Sequence, residues 1–209
     1  MQFGMKLFTS YSKQPKQTTQ DYKIDLLNAI DGNDFTKAQR LITEFDFDVN
    51  AEYLGNTLLN RAVLNNCVEM VEVLLKLGAD VNKPVHGNYP LHRCISKNAI
   101  SIIELLCANN VNINSQSQNG NTALHLAVGK EMFSVVDYLI KKSANVNLCN
   151  NHGDTPLHIA ARMRQLRIYK LLIENGANVS VKNKFGKTPL EEVAGTNTFD
   201  PHLYIDWLP

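Results

Sequence analysis

A phrase of about 33 residues recurs along most of the chain. Its copies are Gly55-Asn56-Thr57-Leu58, Gly87-Asn88-Tyr89-Pro90-Leu91-His92, Gly120-Asn121-Thr122-Ala123-Leu124-His125, Gly153-Asp154-Thr155-Pro156-Leu157-His158 and Gly186-Lys187-Thr188-Pro189-Leu190. Successive glycines stand 32, 33, 33 and 33 residues apart. A fixed period of this length belongs to stacked units, none of which buries its apolar face alone. A single closed core is excluded, because each unit contacts only its neighbours. Such a stack offers an extended surface, and the expectation is binding rather than chemical transformation.

The copy over 150–182 shows how one unit folds. Asn150-Asn151-His152-Gly153 is a turn sequence. Thr155 suits a helix N-cap, and Pro156 suits the first helical position, where its missing N–H costs nothing. Leu157, Ile159, Ala160 and Ala161 form a short helix with a small apolar side. The chain turns near Arg164 and Gln165. Leu166, Ile168, Tyr169, Leu171, Leu172 and Ile173 then recur at helical spacing. Gly176 supplies a left-handed residue to close the second helix.

Over roughly residues 21–195 this pattern resembles the ankyrin repeat. The resemblance implies an all-α solenoid of about six helix–turn–helix units with projecting hairpin loops. Units are expected at about 21–50, 51–82, 83–114, 115–147, 148–180 and 181–195. A polar N-terminal segment (1–20) precedes them, and a capping segment (196–209) with a short helix over His202–Trp207 follows. Asp48-Val49-Asn50, Asp80-Val81-Asn82, Asn112-Ile113-Asn114 and Asn145-Val146-Asn147 match the family's approach to its hairpins. The second and third units lack one hairpin residue each, which predicts two shorter tips. Asn110 and Ser143 replace the glycine that ends the second helix. Asn tolerates the left-handed conformation, whereas Ser143 predicts a different ending for its unit. The first unit reads as a polar cap through Asp31, Asp34, Lys37 and Arg40, and Glu191 and Glu192 read as a water-facing cap at the other end.

The formal net charge is +1, so the whole chain has no strong pull towards nucleic acid or membrane. The distribution is uneven. Residues 21–75 hold four Lys/Arg against ten Asp/Glu, and residues 151–190 hold seven against two. One end is therefore acidic and the other basic. Cys67, Cys94, Cys107 and Cys149 form no C-x-x-C pair, and Cys94 and Cys107 fall on core positions of the repeat. No apolar run has the length of a signal peptide or a membrane span. Asn178-Val179-Ser180 matches a glycosylation acceptor, read as chance without a secretion signal. These features predict a monomeric cytoplasmic or nuclear protein, with delivery into a host cell as the variant.

Histidines are the main temptation towards chemistry. His92, His125 and His158 occupy one repeat position, which places them about 8–10 Å apart by helix-packing distance, too far to share one zinc. The resemblance implies a structural role, each tying neighbouring turns together. No G-x-S-x-G, P-loop or dinucleotide fingerprint occurs. No catalytic residue, cofactor or metal is expected.

The family meets its protein partners on the concave side, made of hairpin tips and the exposed face of each first helix. Carried onto this chain, that surface comprises Tyr53, Leu54, Asn56 and Leu64; Val85, His86, Asn88 and Lys97; Asn119, Asn121 and Lys130; His152, Asp154, Arg162 and Met163; and Lys184, Phe185 and Lys187. Tyr53, Leu54, Val85 and Phe185 are its unexpected apolar members, because turn tips are normally polar. Arg162, Arg164, Arg167 and Lys170 form a basic cluster suited to a solvated face or an acidic partner. Asn82, with Leu74 and Asp80, resembles sites of asparaginyl β-hydroxylation. The short array also looks like inhibitors of Rel-type transcription factors and their viral mimics, and an adaptor fragment of a ubiquitin ligase is the third reading.

Overall fold

The computed structural model describes residues 18–194. The expectations for 1–17 and for 195–209, including the helix over His202–Trp207, lie outside the described residues. Five antiparallel helix pairs follow one another: α1 (Thr19–Asp31) with α2 (Phe35–Glu44), α3 (Leu58–Leu64) with α4 (Val68–Lys76), α5 (Pro90–Lys97) with α6 (Ile100–Ala108), α7 (Ala123–Gly129) with α8 (Phe133–Lys141), and α9 (Pro156–Arg162) with α10 (Leu166–Glu174). A further helix, α11 (Pro189–Ala194), completes the described residues. Helix α1 starts two residues inside the expected N-terminal segment, because Thr18 and Asp21 form a reciprocal capping box.

The pairing follows from side-chain size. Helices α3, α5, α7 and α9 each carry a fully buried small residue, Ala62, Cys94, Ala127 and Ala160 in turn, flanked by larger apolar neighbours. The second helix can therefore approach closely and bury its own apolar stripe. In the second pair Met70, Val71 and Leu74 do this, and in the fifth Ile168, Tyr169 and Leu172. First helices then pack on first helices along the array, in the order α1, α3, α5, α7, α9, α11. Second helices form the other layer through α2–α4–α6 and α8–α10. Truncating a fully buried member such as Leu106 to Ala would cost about 2–5 kcal/mol. Cys94 is one of these core residues, and burial pushes its thiol up to about 12.

Two left-handed residues punctuate every pair. Asn33, Asn66, Asn98, Glu131 and Arg164 turn the chain between the helices, with φ between 55° and 59°. Asp46, Gly78, Asn110, Ser143 and Gly176 end the second helices, also at positive φ. The different ending expected at Ser143 is not found. Ser143 N–H donates to the Ile140 carbonyl at 2.9 Å and Ala144 N–H to Leu139 at 3.0 Å, as Gly176 and Ala177 donate to Ile173 and Leu172. Buried helix packing on both sides dictates the turn, and Ser143 accepts the left-handed strain of about 1–2 kcal/mol.

The tips differ in length as the spacing predicts. Strands β1 (Glu52–Tyr53) and β2 (Asn56–Thr57) are antiparallel and joined by the two residues Leu54 and Gly55. Val85 and Asn88 pair in the same way around His86 and Gly87. The later tips close Ser117 on Asn121, Asn150 on Asp154 and Asn183 on Lys187, with three residues between. Both central residues of these two turns, Leu54-Gly55 and His86-Gly87, have positive φ, as the two-residue turn of type I′ requires. Leu54 and His86 are consequently forced to +51° and +50°.

An asparagine ladder runs along the loops that follow the second helices. Asn50, Asn82, Asn114 and Asn147 each accept from a backbone N–H of the next pair, those of Asp80, Asn112, Asn145 and Asn178, at 2.7 or 2.8 Å. Three of these carboxamides also donate onward, to the carbonyls of Gly78, Asn110 and Gly176. Much of the chain's asparagine content is thereby scaffold.

Candidate partner-binding surface

The histidines set the positions of the tips. Nδ1 of His125 accepts from the backbone N–H of Thr122 at 3.2 Å, and Nδ1 of His158 accepts from Thr155 N–H at 3.1 Å. A backbone N–H can only donate, so Nδ1 is the unprotonated nitrogen and Nε2 carries the hydrogen. Nε2 then donates to the carbonyl of Asp154 at 3.0 Å and of Lys187 at 3.1 Å, each in the following tip. His92 reaches Asn121 at 2.8 Å in the same way. Its own N-cap is Tyr89, and its buried Nδ1 has no partner among the described residues. Burial lowers the pKa of all three. Asn60 stands at this position in the second pair and bonds to Thr57 of its own helix cap, leaving the following tip, around Asn88, without that tether.

Neighbouring tips are also joined through their main chains. Gln118 N–H donates to Gly87 at 3.2 Å, Asn151 to Asn119 at 3.0 Å and Lys184 to His152 at 2.9 Å. The packing is tight enough that a Cβ on Gly153 would sit 2.8 Å from the Lys184 nitrogen.

The expected surface residues separate on this frame. Leu54 is 81% exposed and Phe185 70% exposed, at the tips nearest the two ends. His86, Asn119, His152, Lys184 and Lys187 are also exposed tip residues. Lys97, Lys130 and Met163 are exposed at or just beyond the ends of first helices, with half-buried Leu64 closing α3. A seven-residue helix is about 10 Å long, so these form a second row set back from the tips.

Other members are scaffold. Val85 is 1% exposed and leaves the surface set, because its side chain turns inwards from the two-residue hairpin. Tyr53 is half-buried, its hydroxyl donating to the Asp48 carbonyl at 2.9 Å and its ring edge-on to Phe47. Asn56 and Asn88 are half-buried hairpin residues. Asn121 accepts from the Asn150 carboxamide at 2.9 Å, which stitches two tips together. Asn82 belongs to the ladder described above and is half-buried.

Asp154 is 3% exposed, against the expectation of a surface residue. Its carboxylate accepts from Arg162 Nη2 at 2.8 Å and from the Asn183 carboxamide at 2.8 Å. Glu192 joins the same group, accepting from Asn183 at 2.7 Å and from Arg162 at 3.2 and 3.3 Å. The water-facing cap expected of Glu192 is thus wrong. Its side chain is 10% exposed because it closes the buried end of this network. Glu191 caps α11 through Thr188, as the histidines do in earlier pairs. Asn183 and Glu192 are absent from the sequence-derived set. Asn183 repeats the turn asparagine Asn150, which was a usable signal, whereas Glu192 stands where the fifth pair has Ile159 and had none.

The basic cluster disperses for the same reason. Arg162 is taken up by Asp154 and Glu192, and Lys170 pairs with Glu174 at 3.8 Å. Arg167 lies over the Phe133 ring at 3.7 Å, across the boundary to the preceding pair. Among the described residues, no three or more His, Cys, Asp or Glu side chains are grouped to hold a metal ion. No helix there is long and apolar enough to cross a membrane.

A family model described as ankyrin repeats (three copies) matches residues 26–117 and 91–183, together more than half of the chain. No curated protein matches it significantly. The stacked helix pairs, the histidine tethers and the linked tips agree with that match, and the chain belongs to the ankyrin-repeat family.

Proposed function

We propose that this chain binds a protein partner on the face made by its tips and the ends of its first helices. Ankyrin repeats are generally protein–protein interaction modules, typically without enzymatic activity. The observation that carries the reading is the pair of large apolar side chains at turn tips, Leu54 and Phe185, on an otherwise polar row. Exposed apolar and aromatic residues on a pre-ordered frame are what a binding surface requires. The main-chain links between tips supply that order in advance of association.

The test is partner capture with Leu54→Ser, Met163→Ser and Phe185→Ser, singly and combined. None of the three has a role in the tethers or the buried network. The combined variant is expected to retain wild-type helicity and lose at least about tenfold in capture, the loss of one or two anchors. Undiminished capture by the folded variant would place the binding face elsewhere.

A further inference from the structure

The tips of the fifth pair and of the segment before α11 enclose a groove of about 390 Å³, lined by His152, Asp154, Arg162, Phe185, Lys187 and Glu192. Its chemistry is layered. The floor is the buried network, in which Asp154 and Glu192 satisfy one edge of the Arg162 guanidinium and the Asn183 carboxamide donates to both carboxylates. Arg162 Nη1 makes none of these bonds, and the side chain remains 43% exposed to the groove. Its two N–H groups are donors in search of an acceptor. The apolar wall is Phe185.

The rim is cationic. Lys182, Lys184 and Lys187 are all exposed, and among the described residues none lies within ion-pair distance of a carboxylate. Among the described residues Glu191 is an exposed acid close enough for Lys182 and Lys187 to contribute to lowering its pKa. The local balance matches the larger one, with seven Lys/Arg against two Asp/Glu over residues 151–190. An occupant must therefore bring acceptors to Arg162 and the lysines, and apolar area to Phe185.

Resting on the tip-face reading above, we propose that this groove receives an extended acidic peptide segment of the partner, with an aromatic or aliphatic residue among its carboxylates. The apolar residue lies against Phe185. A neighbouring carboxylate accepts from Arg162 Nη1, and flanking carboxylates meet Lys184 and Lys187. Buried Asp154 and half-buried Glu192 hold the guanidinium in place before binding, so little order is lost when the carboxylate arrives. The same two acids on the floor disfavour a run of phosphates, and Phe185 alone provides no stacking series for bases.

The probe is a fluorescein-labelled acidic peptide of sequence Glu-Asp-Glu-Phe-Asp-Glu, followed by fluorescence anisotropy. Its companions are a version with Phe replaced by Ser, a lysine-rich version and a deoxythymidine hexamer. Saturable binding of the acidic peptide below about 1 mM is expected, weakened by salt and by loss of its Phe. Lys184→Glu with Lys187→Glu should weaken it at least tenfold. Arg40→Glu with Lys76→Glu, an equal charge change on second helices, should leave it within twofold. Circular dichroism of each variant checks the fold. Absence of saturation, equal effects of the two charge-reversed variants, or tighter binding of the lysine-rich peptide or the hexamer overturns the proposal. If the peptide fails while Leu54→Ser with Phe185→Ser still abolishes partner capture, the charge assignment falls and the tip face stands.

Discussion

Arg162 and Asp154 are eight residues apart, one ending α9 and the other in the tip before it, and Arg162 Nη2 donates to the buried Asp154 carboxylate at 2.8 Å. The arginine thereby folds back along its own helix to the tip that precedes it. The same guanidinium reaches Glu192 in α11, 30 residues on. One side chain thus locks a tip, a first helix and the next first helix together.

Removing that lock should be costly. A buried carboxylate deprived of its cation typically destabilises by 3–5 kcal/mol, reduced here because Arg162 is partly solvated and Asn183 remains. Arg162→Ala is expected to cost about 2 kcal/mol in urea denaturation. A double-mutant cycle with Asp154→Asn should give a coupling above about 1 kcal/mol. The hydrogen bonds from Arg162 hold the Glu192 carboxyl below its ordinary value. A lowered carboxylate stabilises fully above the unfolded pKa, so this contribution persists above about pH 4.5 and disappears on acidification below it.

The three tethering histidines predict a second, milder acid sensitivity. Burial lowers each pKa below the ordinary 6.5. The folded state then binds protons less readily than the unfolded chain. Stability should be full above pH 6.5 and decline as pH falls below it, by at most about 1.4 kcal/mol per pH unit per histidine. Protonation at Nδ1 of His125 or His158 would also oppose one N–H to another. NMR titration of the ring protons alongside thermal melts at pH 7.5 and 5.5 checks this, and a histidine titrating above 6.5 would contradict it.

Leu54 sets stability against binding. It holds a bulky side chain at φ 51°, where asparagine or glycine is more comfortable. Leu54→Asn should therefore raise the urea midpoint, by about 1 kcal/mol in stability, while weakening partner capture. A variant that loses stability would show that the leucine packs on a neighbour in solution.

Gly153 tests the linked tips. Alanine there would meet the Lys184 nitrogen at 2.8 Å and must also adopt a φ of 77°. Gly153→Ala should cost about 2 kcal/mol or more. Gly176→Ala, at φ 83° with open space around the new Cβ, should cost about half as much. Equal losses would mean that backbone strain alone matters and that tip contact does not.

Much of the scaffold was legible because it repeats. Thr122 and His125 recur as Thr155 and His158, and a shared position implies a shared neighbour one unit along. The missing hairpin residues were likewise visible in the spacing, and the tips are shorter by that residue. Val85 was misread because a two-residue hairpin has one inward and one outward side, and an isolated apolar residue does not announce which it occupies. Ser143 was misread because intrinsic preference is weaker than the packing of α8 and the turn that follows it.

The sequence by itself determined the repeat, the helix pairs and the histidine positions, since those depend on periodic burial and local capping. Only the tertiary structure decided which polar residues remain available to a partner. Arg162, Asp154 and Glu192 come together through side-chain conformations across two helices and a tip, and no spacing encodes that convergence. It turned Asp154 and Glu192 into supports for the Arg162 guanidinium, dispersed an apparent basic cluster and left Leu54, Phe185 and the lysine rim on the surface.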